Sequence, residues 1–273
     1  MKKHLIYLVV AVILYPNGMY AFENYGSQPP PGTSPTDIIT RTDLEYRFTD
    51  SQNGTKTQAL VARFDYAFTP AIVFRADIPF LNTDPGTDGS NEKTSIGDLF
   101  IRLGWQAISD TQFTLFFGGD MILDTATEDL HGNGTYIASP LVAAMWPLPG
   151  QGAMAGFTLS QSLDFGGSDK KDTNGTELHP FYVKTLPRGA WFSLDTYLYI
   201  NWEDDNQFGW FQEFQLGKMF TKNFRVPLTP GIGIIGDNHD VPDWQIRGGI
   251  CYLFCLDHKL DRSILNCIRC HYE

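Results

Sequence analysis

Two groups of residues could carry chemistry: charged side chains that recur at every second position, and cysteines near the carboxyl end. Charges two residues apart share one face of a β-strand, because successive side chains point to opposite sides. A closed sheet that turned this face inward would have a polar lumen whose charges select solutes. The predicted lumen and selectivity residues are Arg63, Asp65, Arg75, Asp77, Asp98, Arg102, Asp120, Asp195, Glu213 and Arg247.

The four cysteines are Cys251, Cys255, Cys267 and Cys270. The stretch 267–271, Cys-Ile-Arg-Cys-His, has the spacing of covalent c-type haem attachment, and the thiols could instead bind zinc or form disulfides. The stretch lies at the end of the sequence, with no domain around it to bury a porphyrin. We therefore expect no cofactor, and an irregular tail over 255–273.

The histidines give little indication of catalysis or metal binding. His131, His179 and His239 lie in or beside turn segments, and none stands at a recognisable hydrolase spacing from a serine. His239 and the aspartates around it could hold a cation, but an acidic loop is usually just solvated. We expect neither an enzyme nor a metal site.

The segments that carry these residues alternate between apolar and polar side chains from Ile38 onward. In Gln58–Phe68 the apolar residues take even positions and the charges odd ones, and Ala71–Phe80 repeats the scheme. The alternating segments are mostly about ten to thirteen residues long, against a usual five to six in globular proteins. Tilted strands that span a membrane need about nine to eleven.

Short connections alternate with long polar ones, as in bacterial outer-membrane barrels. Because lipid offers no partner for backbone groups, a sheet in a membrane must close on itself. The pattern predicts an all-β transmembrane antiparallel up-and-down β-barrel of about twelve strands, with ten to fourteen left open, and both termini on the short-turn, periplasmic side. The predicted strands are Ile38–Phe48, Gln58–Phe68, Ala71–Phe80, Ile96–Gln106, Gln112–Leu123, Pro140–Leu148, Ala153–Phe165, His179–Leu186, Ala190–Glu203, Phe208–Phe220, Phe224–Gly236 and Trp244–Phe254. The sixth and eighth alternate least.

Two hairpins make predictions about register. A three-residue turn at 69–71 would set Phe68 opposite Ile72, and hence Asp65 opposite Arg75 and Arg63 opposite Asp77. A hairpin at 107–111 that paired Trp105 with Phe113 would set Asp98 opposite Asp120. Two opposed acids repel unless a cation or an arginine lies between them, so this second pair would mark a constriction or an ion site.

The chain divides into four parts. Residues 1–21 read as a signal peptide, with Lys2 and Lys3 before a short apolar run. Residues 22–37, rich in proline, read as a periplasmic lead-in or as a short plug. The barrel covers 38–254, and the tail covers 255–273. The net charge of −11, with no basic run, excludes a nucleic-acid partner.

Two stretches carry a resemblance to known families. Ser95–Leu103, with Asp77–Phe80 before it, resembles the Gly-Asp-Leu strand start of an outer-membrane barrel family named for the meta-pathway of phenol degradation. That resemblance implies a transporter of small, hydrophobic or aromatic compounds and brings no catalytic residues. Trp244–Phe254 is similar to the terminal strand that barrel-assembly machinery recognises, although here the sequence continues beyond Phe254, the aromatic residue that ends the strand.

These observations together predict a porin-like channel or facilitator for the passive passage of small compounds, exported by a cleaved signal peptide to the outer membrane of a Gram-negative cell. One alternative is a plugged structural or adhesive barrel whose loops bind partners, and another is a barrel hydrolase that acts on lipids. The expected partners are outer-membrane lipid and lipopolysaccharide, the assembly machinery through Trp244–Phe254, and a small-molecule solute.

Overall fold

A computed structural model describes residues 29–51, 54–86, 92–167, 173–203, 205–236 and 241–254. These residues form thirteen strands and two 3₁₀ turns, Asp129–His131 and Pro187–Gly189. The strands are β1 Thr40–Asp50, β2 Lys56–Thr69, β3 Ile72–Asp84, β4 Lys93–Ile96, β5 Leu99–Ser109, β6 Thr114–Leu123, β7 Thr135–Leu148, β8 Ala153–Gly167, β9 Asn174–Leu186, β10 Ala190–Asn201, β11 Gln207–Met219, β12 Phe224–Ile235 and β13 Trp244–Phe254. In the described part of the chain no helix is long and apolar enough to cross a membrane.

The strands form one closed antiparallel sheet whose order follows the chain. β1 pairs with β13 along its full length, from Thr40 opposite Phe254 to Asp50 opposite Trp244, and with β2 on its other side. β4 and β5 both pair with β3, so they are two halves of one wall strand interrupted at residues 97–98. The wall therefore has twelve strands, and the predicted fold is confirmed.

The strands lie at the predicted positions, but the sixth and eighth strands were predicted too short. β7 begins at Thr135 and β9 at Asn174, each about five residues before the predicted start. Pro140 and Pro180 remain inside these strands, opposite Gly119 and Phe157. Proline removes a backbone donor, yet pairing with two flanking strands keeps both segments extended.

The outer face of the wall is apolar and the inner face is polar. This is the reverse of a soluble β-sandwich, whose interior is apolar. Phe64, Ile78 and Leu103 point outward and are 41–58 % exposed, whereas the neighbouring Asp65 and Asp77 are buried. Outward aromatic pairs lie near the strand ends, with ring centroids 5.0 Å apart for Tyr252 and Phe254. An apolar exterior flanked by aromatic residues is the surface that lipid requires.

Aromatic rings pack flat on inward-facing glycines of neighbouring strands. A Cβ atom on Gly104 would lie 2.0 Å from Cζ of Phe116, and one on Gly217 would lie 2.0 Å from Cζ2 of Trp191. Both rings are almost fully buried. The absence of a side chain at these glycines lets large rings lie against the wall inside a narrow barrel.

Candidate lumen site

A row of ion pairs crosses the inner face of β1, β2 and β3. Arg63 donates to Asp77 at 2.8 Å, and Arg75 donates to Asp65 at 2.8 Å. Asp65 also accepts from Arg41 at 2.6 Å, so it bridges two arginines. The predicted pairing of these four residues across the β2–β3 hairpin is confirmed.

The end of this hairpin differs from the prediction. Thr69, not Phe68, lies opposite Ile72, because the register shifts by a bulge between Ala67 and Thr69. The turn is thus two residues long, and the bulge takes up the extra residue. Since the shift lies beyond the charged residues, it leaves their pairing unchanged.

The predicted opposition of Asp98 and Asp120 is wrong. β5 runs to Ser109 and a bulge follows Gln106, so Trp105 lies opposite Phe117 rather than Phe113. Asp120 therefore faces Arg102 and accepts two hydrogen bonds from it, at 2.6 and 2.7 Å. This register replaces repulsion between two acids by a two-point ion pair.

Asp98 lies at the interruption between β4 and β5 and holds a loop. Its carboxylate accepts backbone N–H groups from Thr125 at 3.1 Å, Ala126 at 3.0 Å and Asn133 at 2.7 Å. These contacts fix both ends of the segment between β6 and β7. The structure thus separates Asp98 from the ion pairs of the other predicted lumen residues.

A second polar group lies on β1, β9, β10, β11 and β13. Glu213, almost fully buried, accepts from Arg247 and from Gln245. Arg247 also lies 3.5 Å from Glu45. Asp195 accepts from Ser193 at 2.7 Å and is 3.1 Å from Nε2 of His179.

Aromatic side chains lie beside this second group, and they were not predicted from the sequence as lumen residues. His179 stacks on Tyr197 with centroids 4.2 Å apart, and Tyr197 is nearly parallel to Tyr199 at 6.3 Å. The sequence held a signal for them, since Tyr197 and Tyr199 share their parity with Asp195. The inner wall thus offers ring faces as well as charges.

Residues 29–39 cross the lumen at the short-turn end. Ile38 packs on a cluster of Val73, Phe116, Leu141 and Ala143 from β3, β6 and β7. Ile39 packs on a separate cluster from β8 to β11 and β13 that includes Met154, Phe181, Trp191 and Met219. Two adjacent side chains therefore reach opposite parts of the wall.

Polar contacts fasten the same segment. Arg41 donates to the carbonyl oxygen of Gly32 at 2.9 Å, and Arg225 donates to that of Pro31 at 3.1 Å. Gln106 donates to the carbonyl oxygen of Thr36 at 3.2 Å. Asp37 accepts backbone N–H groups within the segment, and burial raises the pKa of its carboxyl above the ordinary value.

At the long-loop end the turn Asp129–His131 packs against β4. Nδ1 of His131 is hydrogen-bonded to the hydroxyl of Ser95, and burial lowers the pKa of the imidazole. Sequence spacing gave no sign of this Ser–His pair, whose members are 36 residues apart. Nε2 of His131 is buried with no hydrogen-bond partner among the described residues, so the acid that orients a catalytic histidine does not contact it.

The remaining predictions concern metals and the tail. Within the ranges described, no group of three or more potential ligands is placed to hold a metal ion. Cys251 is buried on β13. The loop residues 237–240 and the tail 255–273 lie outside the described residues, as does the signal peptide.

Comparison with known proteins identifies the fold. No protein-family model and no curated protein matches the chain, so the meta-pathway resemblance stays a prediction. An outer-membrane channel from Pseudomonas putida F1 matches with a TM-score of 0.66 and 12 % identity, over 83 % of this chain and 100 % of that one. The KdgM porin matches at 0.52 and 11 % (79 % and 99 % covered), and the NanC porin at 0.52 and 12 % (78 % and 98 %). The chain thus has the barrel fold that is found in outer-membrane channels and porins.

Proposed function

We propose that the protein is an outer-membrane channel for the passive passage of small solutes. The observation that carries this proposal is the reversed polarity of the closed wall. Its exterior is apolar, while its interior carries arginines and acids on most strands. A polar interior within an apolar closed wall is the arrangement of porins, whose lumen is a water-filled channel.

The similar structures support a channel, and two features bear on the solute. The KdgM porin was also solved in complex with disordered oligogalacturonate. The inner wall here carries a row of arginines that are paired with acids, and the stacked His179, Tyr197 and Tyr199 suit flat or apolar groups. Small hydrophobic or aromatic compounds therefore remain among the solutes that we propose for the channel.

The location and partners belong to the same proposal. A cleaved signal peptide would export the chain, Trp244–Phe254 would present the terminal strand to the assembly machinery, and lipid and lipopolysaccharide would surround the apolar exterior. We propose no catalytic activity, because the described Ser95–His131 pair has no orienting acid at Nε2.

A plugged barrel with partner-binding loops is the second candidate. The observation that favours it is the segment 29–39, whose Ile38 and Ile39 contact opposite parts of the wall. A plug that never leaves would abolish transport, whereas a displaceable plug would act as a gate.

Conductance separates the two candidates. The purified full chain, refolded and reconstituted in a planar lipid bilayer, is expected to give discrete current steps. A parallel preparation that has not refolded, recognised by its unshifted mobility on unheated gels, is the control for leakage. Folded protein without any current steps would favour the plugged barrel over the channel.

A further inference from the structure

Arg225 differs from the other arginines of the lumen. Arg41, Arg63, Arg75, Arg102 and Arg247 each have a carboxylate within salt-bridge distance. Arg225 is 6 % exposed, and Asp37 of the segment 29–39 interacts electrostatically with it without forming a salt bridge. Its Nε atom has no hydrogen-bond partner among the described residues. When the crossing segment moves away with Asp37, this buried charge is left without a counterion, which is unfavourable and points to an anion that binds there.

A second guanidinium converges on the same point. A Cβ atom built on Gly32 would lie 2.9 Å from Nη1 of Arg41 and 3.1 Å from Nη2 of Arg225. Both side chains donate to consecutive carbonyl oxygens of the crossing segment, those of Pro31 and Gly32. Guanidinium groups bind carboxylates with paired N–H donors, and they do so more strongly than they bind neutral carbonyls.

An apolar surface borders this polar site. The guanidinium of Arg225 lies 5.7 Å from the ring of Trp191, and Trp191 belongs to the cluster on which Ile39 packs. The crossing segment therefore covers the arginines with carbonyl oxygens and the cluster with an aliphatic side chain. Both contacts would be released together if the segment moved.

We propose that Arg225 and the adjacent Arg41 bind the carboxylate of a small organic acid whose apolar body rests on the cluster around Trp191, and that residues 30–39 occupy this site until the acid displaces them. The bound carboxylate replaces the carbonyl oxygens of Pro31 and Gly32, and the apolar body replaces Ile39. The proposal names a solute class for the channel, and in that respect it rests on the proposed function. Binding itself can be measured without transport.

The test is calorimetric titration of the folded full chain with hexanoate, and with hexanamide as the neutral match. Hexanoate is expected to bind and hexanamide is not. Arg225→Gln should weaken hexanoate binding by about tenfold or more, the usual loss of a charge-assisted contact. Arg47→Gln removes the same charge from a lumen arginine that lies near the far end of β1, and it should change the affinity by less than about twofold.

Competition with the segment gives a second measurement. Deleting residues 22–36 removes the carbonyl groups that occupy both arginines, so hexanoate should bind more tightly than to the full chain. If Arg225→Gln does not refold, Arg225→Lys keeps the charge but loses the paired donors, and it should still weaken binding.

The outcomes distinguish this inference from the proposed function. Equal affinity for hexanoate and hexanamide, or affinity unchanged by both substitutions at Arg225, would overturn the carboxylate site even if the barrel conducts. If hexanoate binding depends on Arg225 but the barrel gives no current steps, the carboxylate site would be supported and the proposed channel function would be contradicted.

Discussion

Single residues of the lumen are held in place by charge pairing. Asp120 balances Arg102 through two hydrogen bonds, and both side chains are mostly buried. Removing the acid leaves an uncompensated positive charge facing the lumen, which attracts anions and repels cations.

Asp120→Asn should therefore shift the reversal potential in a salt gradient towards anion selectivity. Asp110→Asn is the matched control, because Asp110 is exposed in the turn after β5 and removing its charge should leave selectivity nearly unchanged. Equal reversal potentials for Asp120→Asn and the unchanged chain would mean that this pair is structural and guards no pore.

Packing of rings on glycines gives a prediction about stability. A methyl group on Gly104 would collide with Phe116, whereas nothing lies within 4 Å of the same position on Gly119. Gly104→Ala should lower the free energy of unfolding in lipid vesicles by about 1–3 kcal/mol, measured by urea titration. Gly119→Ala should change it far less, and similar losses for the two variants would contradict the packing argument.

At the scale of elements, the regular strands could be predicted from the sequence, whereas the irregular features could not. A period of two and the lengths of the turns were enough to predict the twelve wall strands and the pairing of Arg63 with Asp77. The bulge near Gln106 was not predictable, because one inserted residue leaves the alternation on either side intact while it moves the partner of Asp120. The contacts of 29–39 were equally hidden, since an irregular segment has no period and Arg225 is distant in sequence.

The loop between β6 and β7 should loosen as the pH falls. Burial lowers the pKa of His131 below its ordinary value of about 6.5. The stability from its contact with Ser95 is thus complete above that value and is lost as the pH falls through the lowered pKa. Glu128 raises and Lys93 lowers the pKa of His131 electrostatically, so the effects of this exposed pair, 3.0 Å apart, oppose each other.

Hydrogen exchange of residues 124–134 at about pH 7.5 and about pH 5 would test this, after correction for the intrinsic pH dependence of exchange. Protection is expected to drop at the lower pH in the unchanged chain. His131→Gln keeps a hydrogen-bonding side chain that does not titrate, so its protection should vary little. Loss of protection to the same extent in both proteins would assign the effect to other groups.

At the scale of the whole molecule, we predict that the segment 29–39 limits how far the barrel is open. It contacts both apolar clusters at the short-turn end and hydrogen-bonds to Arg41, Arg225 and Gln106. At the other end, Val241 is buried against Gly209 and Gly236, and the turn Asp129–His131 packs on β4. We therefore expect that conduction needs the crossing segment to move.

Deleting residues 22–36 should raise the single-channel conductance, because Arg41, Arg225 and Gln106, which held the carbonyl groups of the segment, would then face water. Removing the tail 255–273 is the matched truncation at the other end of the chain, and we expect it to leave both assembly and conductance unchanged. Unheated gels would show that each truncated chain has refolded before its current is recorded. If the folded amino-terminal deletion conducts no better than the full chain, the segment does not limit the pore, and the constriction must lie among the loops at the opposite end.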